Sequence, residues 1–500
     1  MAMNRRTFLS AAAAAGAAAS AAVSVVPRRV LGGTPHVAPS ETIHVGYVGC
    51  GTQGLRNLMG ALPNKNLRVV AVCDPNRQSD DYPQWGRDEL NGKVRKFLGD
   101  PGWAKDAVGG RCGREVGHKV VTTYYAKQNR KGDCAAYKDF REMLEAEKDL
   151  DAVYNMTPEH LHGTVVVRAM RAGKHAITHK PVANVLAEVR LARDTARETG
   201  AATALFCAAS NDSTPTMREW LDAGAIGPVH EVHNWSTRPF WPQGMTEPPA
   251  DTPPVPDGLD WDLWLGPERH RPYHPAYTHA VFRGWYAFGT GALGDMGHYS
   301  FYQIFRLLDL PAPVSVDAGR SQFWKIENYT WHKQVNVLSF PRAEVIRWEF
   351  PERDGKPPVT LTWYDGGMRP PLPKGLEADG KDLPGEGMLL VGEKGSILAG
   401  FTGGGPRLIP ESAMKAFQPP PKRLPRPIGE LDQWIRGIRG EKPSDACFEN
   451  VYPFAETILL GTVAARCGKK LLWNTEKMAF TNDPEANKLL TRTYRKGWEL

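Results

Sequence analysis

The sequence predicts an α/β protein in two parts: a doubly wound parallel sheet, then a second α/β domain with a large, mostly antiparallel open sheet. Three observations carry this expectation. From residue 43 to 207, short apolar runs alternate with amphipathic stretches of helical period, the pattern of a parallel sheet covered by helices. The first apolar run ends in a glycine-rich turn that opens a helix. Beyond about residue 213, strand-like runs follow one another with long Pro-rich loops between them, as in an antiparallel sheet.

In chain order, strand 43–48 leads through the glycine turn to a helix start at 55–62, and strand 67–73 ends at Asp74. Residues 76–132 are polar, Gly-rich and dotted with aromatics. They read as a large insertion with one partial helix at 89–97. Helix 137–148, strand 151–156, helix 162–172 capped by Gly173, strand 174–178, helix 185–199 and strand 202–207 complete a first domain over 41–212. The second domain, 213–500, opens with helix 216–223 and strand 229–236. Further strands are expected at 314–318, 334–340, 343–349, 359–363 and 387–398, and the Pro-rich stretch 418–427 crosses to a last helix at 452–467. There is no internal repeat.

The 500 residues are 41% hydrophobic and 23% charged, which excludes bulk disorder and a membrane bundle. The net charge of +7 comes from Lys and Arg scattered among acids, so no nucleic-acid partner is expected. At the N-terminus, Asn4-Arg5-Arg6-Thr7-Phe8-Leu9 precedes an Ala-rich apolar run over 11–26. This is the composition of a secretory leader, and its paired arginines resemble the twin-arginine export signal. Residues 1–26 are therefore expected to be a signal peptide and 27–40 a Pro/Gly-rich arm. The mature protein is expected to be exported, periplasmic for instance, touching the membrane only in transit. The twin-arginine route carries folded proteins, which suits an enzyme that must take up its cofactor before export. The seven cysteines form no CxxC pair or Cys/His array, and no metal site is expected. Cys50, Cys73 and Cys207 read as buried thiols; a disulfide is left open for Cys112 and Cys134, in the insertion.

Gly49-Cys50-Gly51-Thr52-Gln53-Gly54 has the form G-x-G-x-x-G, directly after a strand and at a helix start. The first glycine permits the tight turn, the second lets a pyrophosphate approach the backbone, and the third allows close helix–sheet packing. The helix N-terminus then faces the phosphate charge. Asp74 ends the next strand, where a carboxylate accepts from the adenosine ribose hydroxyls. The first domain is thus expected to be a Rossmann domain, with Gly49, Gly51, Thr52, Gln53, Gly54, Asp74 and Asn76 as cofactor residues. Asp74 would repel a 2′-phosphate, so NAD is favoured over NADP; Arg77 nearby softens the preference.

Thr157-Pro158-Glu159-His160-Leu161-His162, Gly173-Lys174-His175 and His179-Lys180-Pro181 follow in that order. They resemble the T-P-x-x-x-H, G-K-H and E-K-P segments of the glucose–fructose oxidoreductase and inositol dehydrogenase family (Gfo/Idh/MocA). The resemblance continues through Gly224 to Pro228, the Trp261-Asp262-Leu263-Trp264 segment and Gly291-Ala292-Leu293-Gly294-Asp295-Met296-Gly297-His298, and the tail is similar to a long exported branch. It implies a Rossmann domain followed by an α/β domain whose open sheet carries substrate residues on one face and oligomer contacts on the other. It also implies a sugar, inositol or related substrate and a homodimer or homotetramer. Thr157, Pro158, His162, His179 and Lys180 join the cofactor set by this resemblance. Two departures weaken a simple carry-over of the mechanism. His179 stands where the family has Glu. His298 follows Asp295 by three residues where the family's His follows by four, and Tyr299 takes that fourth position.

Hydride transfer needs a C–H aimed at the nicotinamide and a base for the hydroxyl proton. Lys180 is the main candidate, its pKa lowered by burial and a nearby cation to which His179 contributes. Asp295 and His298 are the second catalytic pair, as proton acceptor and orienter. Arg238, Arg283, Trp285 and Tyr299 are the substrate candidates, since sugar faces stack on aromatic rings and Arg holds hydroxyls or carboxylates. Three functions follow from this set. The first is an exported NAD-dependent oxidoreductase of a sugar or polyol with a tightly bound, recycled cofactor. The second is an NAD-dependent glycoside hydrolase working through a transient keto-sugar. The third is a carbohydrate-binding homologue that has lost catalysis.

Overall fold

The structure, a computed structural model, describes residues 41–130, 133–207 and 212–500. The expected leader (1–26) and arm (27–40) lie outside the described residues.

The first domain runs β1 (Ile43–Val48), α1 (Thr52–Ala61), β2 (Leu67–Cys73), β3 (Ser79–Tyr82), α2 (Glu89–Leu98), β4 (Gly110–Cys112), α3 (Arg114–Lys127), β5 (Ala135–Tyr137), α4 (Phe140–Ala146), β6 (Ala152–Asn155), α5 (Glu159–Arg171), β7 (His175–His179), α6 (Leu186–Thr199) and β8 (Thr203–Phe206). Its parallel sheet has the order β5-β2-β1-β6-β7-β8. Helices cover both faces, so β6 is buried throughout and β1 nearly so, and their sequences read as continuous apolar runs rather than alternation. The strand order reverses between β1 and β6, and a ligand crevice opens at that point beyond the strands' carboxyl ends. Gly49 and Thr157 stand there.

The second domain continues with α7 (Ser213–Asp222), β9 (Val229–Trp235), α8 (Trp261–Leu265), α9 (Gly291–Leu308), β10 (Ser315–Arg320), β11 (Phe323–Glu327), β12 (Thr330–Gln334), β13 (Glu344–Phe350), β14 (Val359–Tyr364), β15 (Gly387–Gly392), β16 (Gly395–Ala399), β17 (Arg407–Ile409), α10 (Glu430–Ile438), α11 (Phe448–Cys467), β18 (Leu471–Asn474) and β19 (Ala479–Phe480). Among the described residues nine of these strands form one sheet, β17-β16-β15-β9-β14-β13-β10-β18-β19, antiparallel except where β9 meets β14, while β11 and β12 pair as a separate hairpin. The core lies between this sheet and α9 and α11. Phe301, Trp348, Trp363, Phe350 and Phe454 are fully buried there. Each such side chain contributes roughly 2–3 kcal/mol of transfer free energy, so α9 is held firmly enough to position the residues it carries.

The structure corrects several expectations. The insertion contains a full helix, α3, and the small β3–β4 ladder. Residues 334–340 are not a strand: β12 stops at Gln334, and Asn336 Oδ1 accepts from the N–H groups of Leu338 and Ser339, a side-chain turn that ends the ladder. Residues 387–398 divide into the paired strands β15 and β16. The chain after 213 does not stay in the second domain. Trp434 of α10 is buried under the first sheet and donates to the Ala202 carbonyl at 3.0 Å, and Trp498 packs on Phe140. All seven cysteines are free, including Cys112 and Cys134. No helix among the described residues is long and apolar enough to cross a membrane, and they contain no His/Cys/Asp/Glu group able to hold a metal.

Candidate active site

The glycine turn is shaped by backbone crowding. Gly49 has φ +99°, and a Cβ on it would stand 2.5 Å from the Met156 backbone; only glycine fits. A Cβ on Gly54 would stand 2.1 Å from the Gly49 carbonyl oxygen. The free N–H groups of the first turn of α1 therefore sit beside a bare backbone surface, the arrangement that receives a phosphate. Asp74 accepts from the N–H of Cys50 at 2.7 Å and of Asn76 at 2.8 Å, which fixes its carboxylate against the turn. Burial pushes its pKa above the ordinary value, and those two amides pull against the rise.

Gly49, Gly51, Thr52, Gln53, Gly54, Asp74, Thr157, Pro158, His179 and Arg283 line one cleft of ≈ 100 Å³. The second domain forms its outer wall. The Asp260 N–H donates to the Pro75 carbonyl at 3.0 Å, and the Arg77 N–H donates to the Gly258 carbonyl at 2.8 Å. Across the glycine turn lies a ring stack, Tyr82 on His279, with centroids 3.5 Å apart and 17° between planes. His279 Nε2 also stands 3.4 Å from Asp81 and holds that carboxyl down at about 2. The side-chain-free turn, the helix start and the carboxylate ending β2 fit a dinucleotide. Tyr82 and His279 are part of the lining of this cleft.

Behind the cleft wall, at Arg283, four charged side chains meet. Lys180 follows β7, Asp295 lies in the second turn of α9, Arg283 sits in the turn Val281–Gly284, and Glu159 begins α5. Lys180 Nζ donates to Asp295 Oδ1, and Arg283 Nε donates to the same oxygen at 2.9 Å. Arg283 Nε is 3.7 Å from Glu159 Oε1, while Glu159 Oε2 accepts the Thr290 hydroxyl at 2.5 Å. Thr290 reaches Glu159 because residue 294 is glycine: a Cβ there would stand 2.0 Å from Thr290 Oγ1. Tyr299 joins the cluster, with Lys180 Nζ 5.0 Å from its ring centroid and its hydroxyl 3.3 Å from His179 Nε2.

Burial dominates the electrostatics. It lowers Lys180 from the ordinary lysine value, with Asp295 opposing and Arg283 adding to the fall. Burial alone would raise Asp295, but Lys180 and Arg283 outweigh it and hold the carboxyl well below the usual range. The ionised form of Asp295 is thereby favoured. Burial raises Glu159 to about 7, against the pull of Arg283 and with Asp295 adding to the rise. His179 is pushed well below its ordinary value, so it is neutral; the cation acting on Lys180 is Arg283, not His179.

Several expected site residues are engaged elsewhere. His298 donates from Nδ1 to the Gly294 carbonyl at 2.7 Å and lies edge-on to Phe454 in the core; the three-residue spacing turns it away and gives Tyr299 the inward position. His162 is buried, with ring nitrogens 2.5 Å from the Pro181 carbonyl and 2.8 Å from that of Thr157, tying the two loops together. Asn76 donates from Nδ2 to the hydroxyls of Ser79 and Tyr82. Arg238 pairs with Glu386 at 2.6 Å and covers Phe240. Trp285 is buried, donates to the Ala276 carbonyl and packs against Tyr277. Arg283 lies over two rings, Phe282 at 4.7 Å and Trp241 at 5.8 Å from the centroids. The sequence reading missed Glu159, Tyr82 and His279 as site residues. Only Glu159 carried a signal, an acid directly after Thr157-Pro158 that also reads as an ordinary helix-start residue.

Comparison with known proteins agrees with this architecture. Residues 119–206 match the family description "Oxidoreductase family, NAD-binding Rossmann fold". Residues 229–337 and 375–500 match "Oxidoreductase family, C-terminal alpha/beta domain". A dTDP-3,4-didehydro-2,6-dideoxy-alpha-D-glucose 3-reductase of Streptomyces violaceoruber is 37% identical over 100 residues, a match spanning 20% of this chain and 29% of the reductase. Among solved structures, the WlbA dehydrogenase of Chromobacterium violaceum, in complex with NADH and UDP-GlcNAcA, superposes with a TM-score of 0.53 at 16% identity, covering 87% of this chain and 97% of the dehydrogenase. The WlbA dehydrogenase of Bordetella pertussis, with the same two ligands, gives 0.52 at 15% identity, covering 87% and 99%. These likenesses establish the shared fold. The matched motifs, both domain types and their order together show that the chain belongs to the Gfo/Idh/MocA oxidoreductase family, its NAD-binding Rossmann fold preceding its C-terminal alpha/beta domain.

Proposed function

We propose that the protein is an exported NAD-dependent oxidoreductase that interconverts a secondary alcohol and a ketone on a sugar, polyol or derivative. The observation that carries this reading is the buried Lys180–Asp295 pair, joined through Arg283 to the cleft that the glycine turn, Asp74, His179 and Arg283 line. When bound, the nicotinamide supplies the hydride acceptor or donor. The chain's own residues handle the proton and the alignment. Lys180, lowered by burial, takes the substrate hydroxyl proton as an amine and returns it as an ammonium. Asp295, held ionised, orients Lys180 and stabilises its charged form. Arg283 holds a hydroxyl or carboxylate of the substrate, and Trp241 offers a ring face beside it. The inactive-homologue reading is disfavoured, because a buried Lys–Asp–Arg cluster is costly to keep where apolar residues would serve stability as well.

An exported enzyme meets no pool that reoxidises NADH, so the cofactor is expected to stay bound and return to its starting state in each cycle. The second-domain wall clasped over Asp74 supports such retention. The test is to denature the purified protein, identify the released nucleotide, and record its redox state before and after a sugar panel is added. Stoichiometric NAD or NADH that changes state with one sugar supports the reading. Cleavage of an aryl glycoside without NADH accumulation would move it to the transient keto-sugar hydrolase. Protein that neither holds nor binds NAD would end it.

A further inference from the structure

We infer that Glu159 is a positioning residue of the proton-handling cluster, setting through its own charge how readily Lys180 gives up a proton. This rests on the oxidoreductase reading above for its purpose, though not for its test.

A glutamate that merely begins a helix faces solvent or the free N–H groups of the first turn. Glu159 is instead 2% exposed and turned inward. Oε2 accepts from Thr290, the residue that precedes α9, so the carboxyl ties the start of α5 to the helix bearing Asp295. Oε1 is buried without a hydrogen bond, and the nearest cation is Arg283 Nε at 3.7 Å. The charged groups acting on it are Arg283 from the turn Val281–Gly284, Asp295 from α9 and Lys180 after β7; His162 of its own helix, His179 of β7 and Tyr299 of α9 act on that same cluster, and His160 follows it in the chain. Burial holds His160 down at about 3 and His162 at about 4, and pushes His179 well below its ordinary value, so none of the three supplies charge near neutrality.

Two fixed charges remain, Arg283 positive and Asp295 negative, beside Lys180, whose own proton is the one handled. Glu159 is the other member whose charge changes within the working range. Burial raises it to about 7 while Asp295 is driven the other way, and carboxyls whose environments push their pKa values apart take different roles. When Glu159 ionises, it favours the ammonium form of Lys180; when it is protonated, that support is withdrawn.

The test uses the full protein as purified, labelled with 13Cε-lysine and, separately, 13Cδ-glutamate. The Lys180 signal is assigned by its loss in Lys180→Met. In Glu159→Gln, which keeps the shape and can still accept from Thr290, the Lys180 titration midpoint is expected to fall by about 0.5–1 pH unit. One glutamate signal titrating near neutral pH should vanish in the same variant. Glu159→Asp, which keeps the charge, should restore most of the Lys180 midpoint. A Lys180 midpoint unchanged in Glu159→Gln, or no near-neutral glutamate signal lost, would overturn the inference. Nucleotide extraction decides the oxidoreductase reading separately, so failure of one is distinguishable from failure of the other.

Discussion

Arg283 Nε donates across 2.9 Å to the same Asp295 oxygen, Oδ1, that receives Lys180. One carboxylate oxygen thus collects two buried cations from different parts of the chain. Removing the anion would leave both cations uncompensated.

Asp295→Asn is therefore expected to lower stability by about 3–5 kcal/mol at pH 7, read from urea unfolding. The folded pKa of Asp295 is depressed, so its stabilisation is complete above the ordinary carboxylate value and is lost as pH falls through the folded one. The gap between variant and wild type should hold from pH 8 to about 4 and narrow only below that. Equal unfolding midpoints at pH 7 would refute the pairing.

Asp74→Ala is expected to weaken NAD binding by about 10–100-fold, the loss of a charge-assisted acceptor. It should also narrow the preference for NAD over NADP, because the repulsion of a 2′-phosphate goes with the carboxylate. Calorimetric titration of nucleotide-stripped protein with each dinucleotide checks both. Unchanged NAD affinity would place the adenosine ribose elsewhere.

The Tyr82–His279 stack lines the cleft beside the glycine turn. His279→Ala is expected to speed NAD association several-fold in stopped-flow fluorescence, and Asp81→Asn, which removes the stack's ionic anchor, should act in the same direction. Slower association in His279→Ala would instead make the stack part of the binding surface.

Trp285 and Trp241 should behave oppositely. Trp285 is buried in an aromatic cluster, and its replacement by Ala is expected to cost about 3–5 kcal/mol of stability. Trp241→Ala should leave the unfolding midpoint nearly in place and raise KM for the reactive sugar about tenfold, as expected of a ring beside Arg283. A stable Trp285→Ala protein with raised KM would reverse the assignment.

The dinucleotide cradle was legible in the sequence because its parts are local. Gly49, Gly51 and Gly54 act through their own backbone, and Asp74 is fixed by its place at the end of β2. The cluster was legible only in part. Lys180 and Asp295 stood out by motif, but that the cation acting on Lys180 is Arg283 rather than His179 was not legible. For Asn76, His162, Trp285 and His298 the residue type was informative, while the direction of the side chain was not.

By itself the sequence determined the alternation that builds the parallel sheet, the bare turn at its switch point and the second, mostly antiparallel sheet. These follow from side-chain periodicity and backbone sterics, which act over a few residues. Only the tertiary structure decided that Glu159, Lys180, Arg283 and Asp295 form one cluster and that Tyr82, stacked on His279, stands over Gly51. The reason is physical: a buried charge is set by what lies within a few ångströms and by the exclusion of water. In this chain Lys180 and Asp295 are 115 residues apart, and Glu159 and Thr290 are 131 apart.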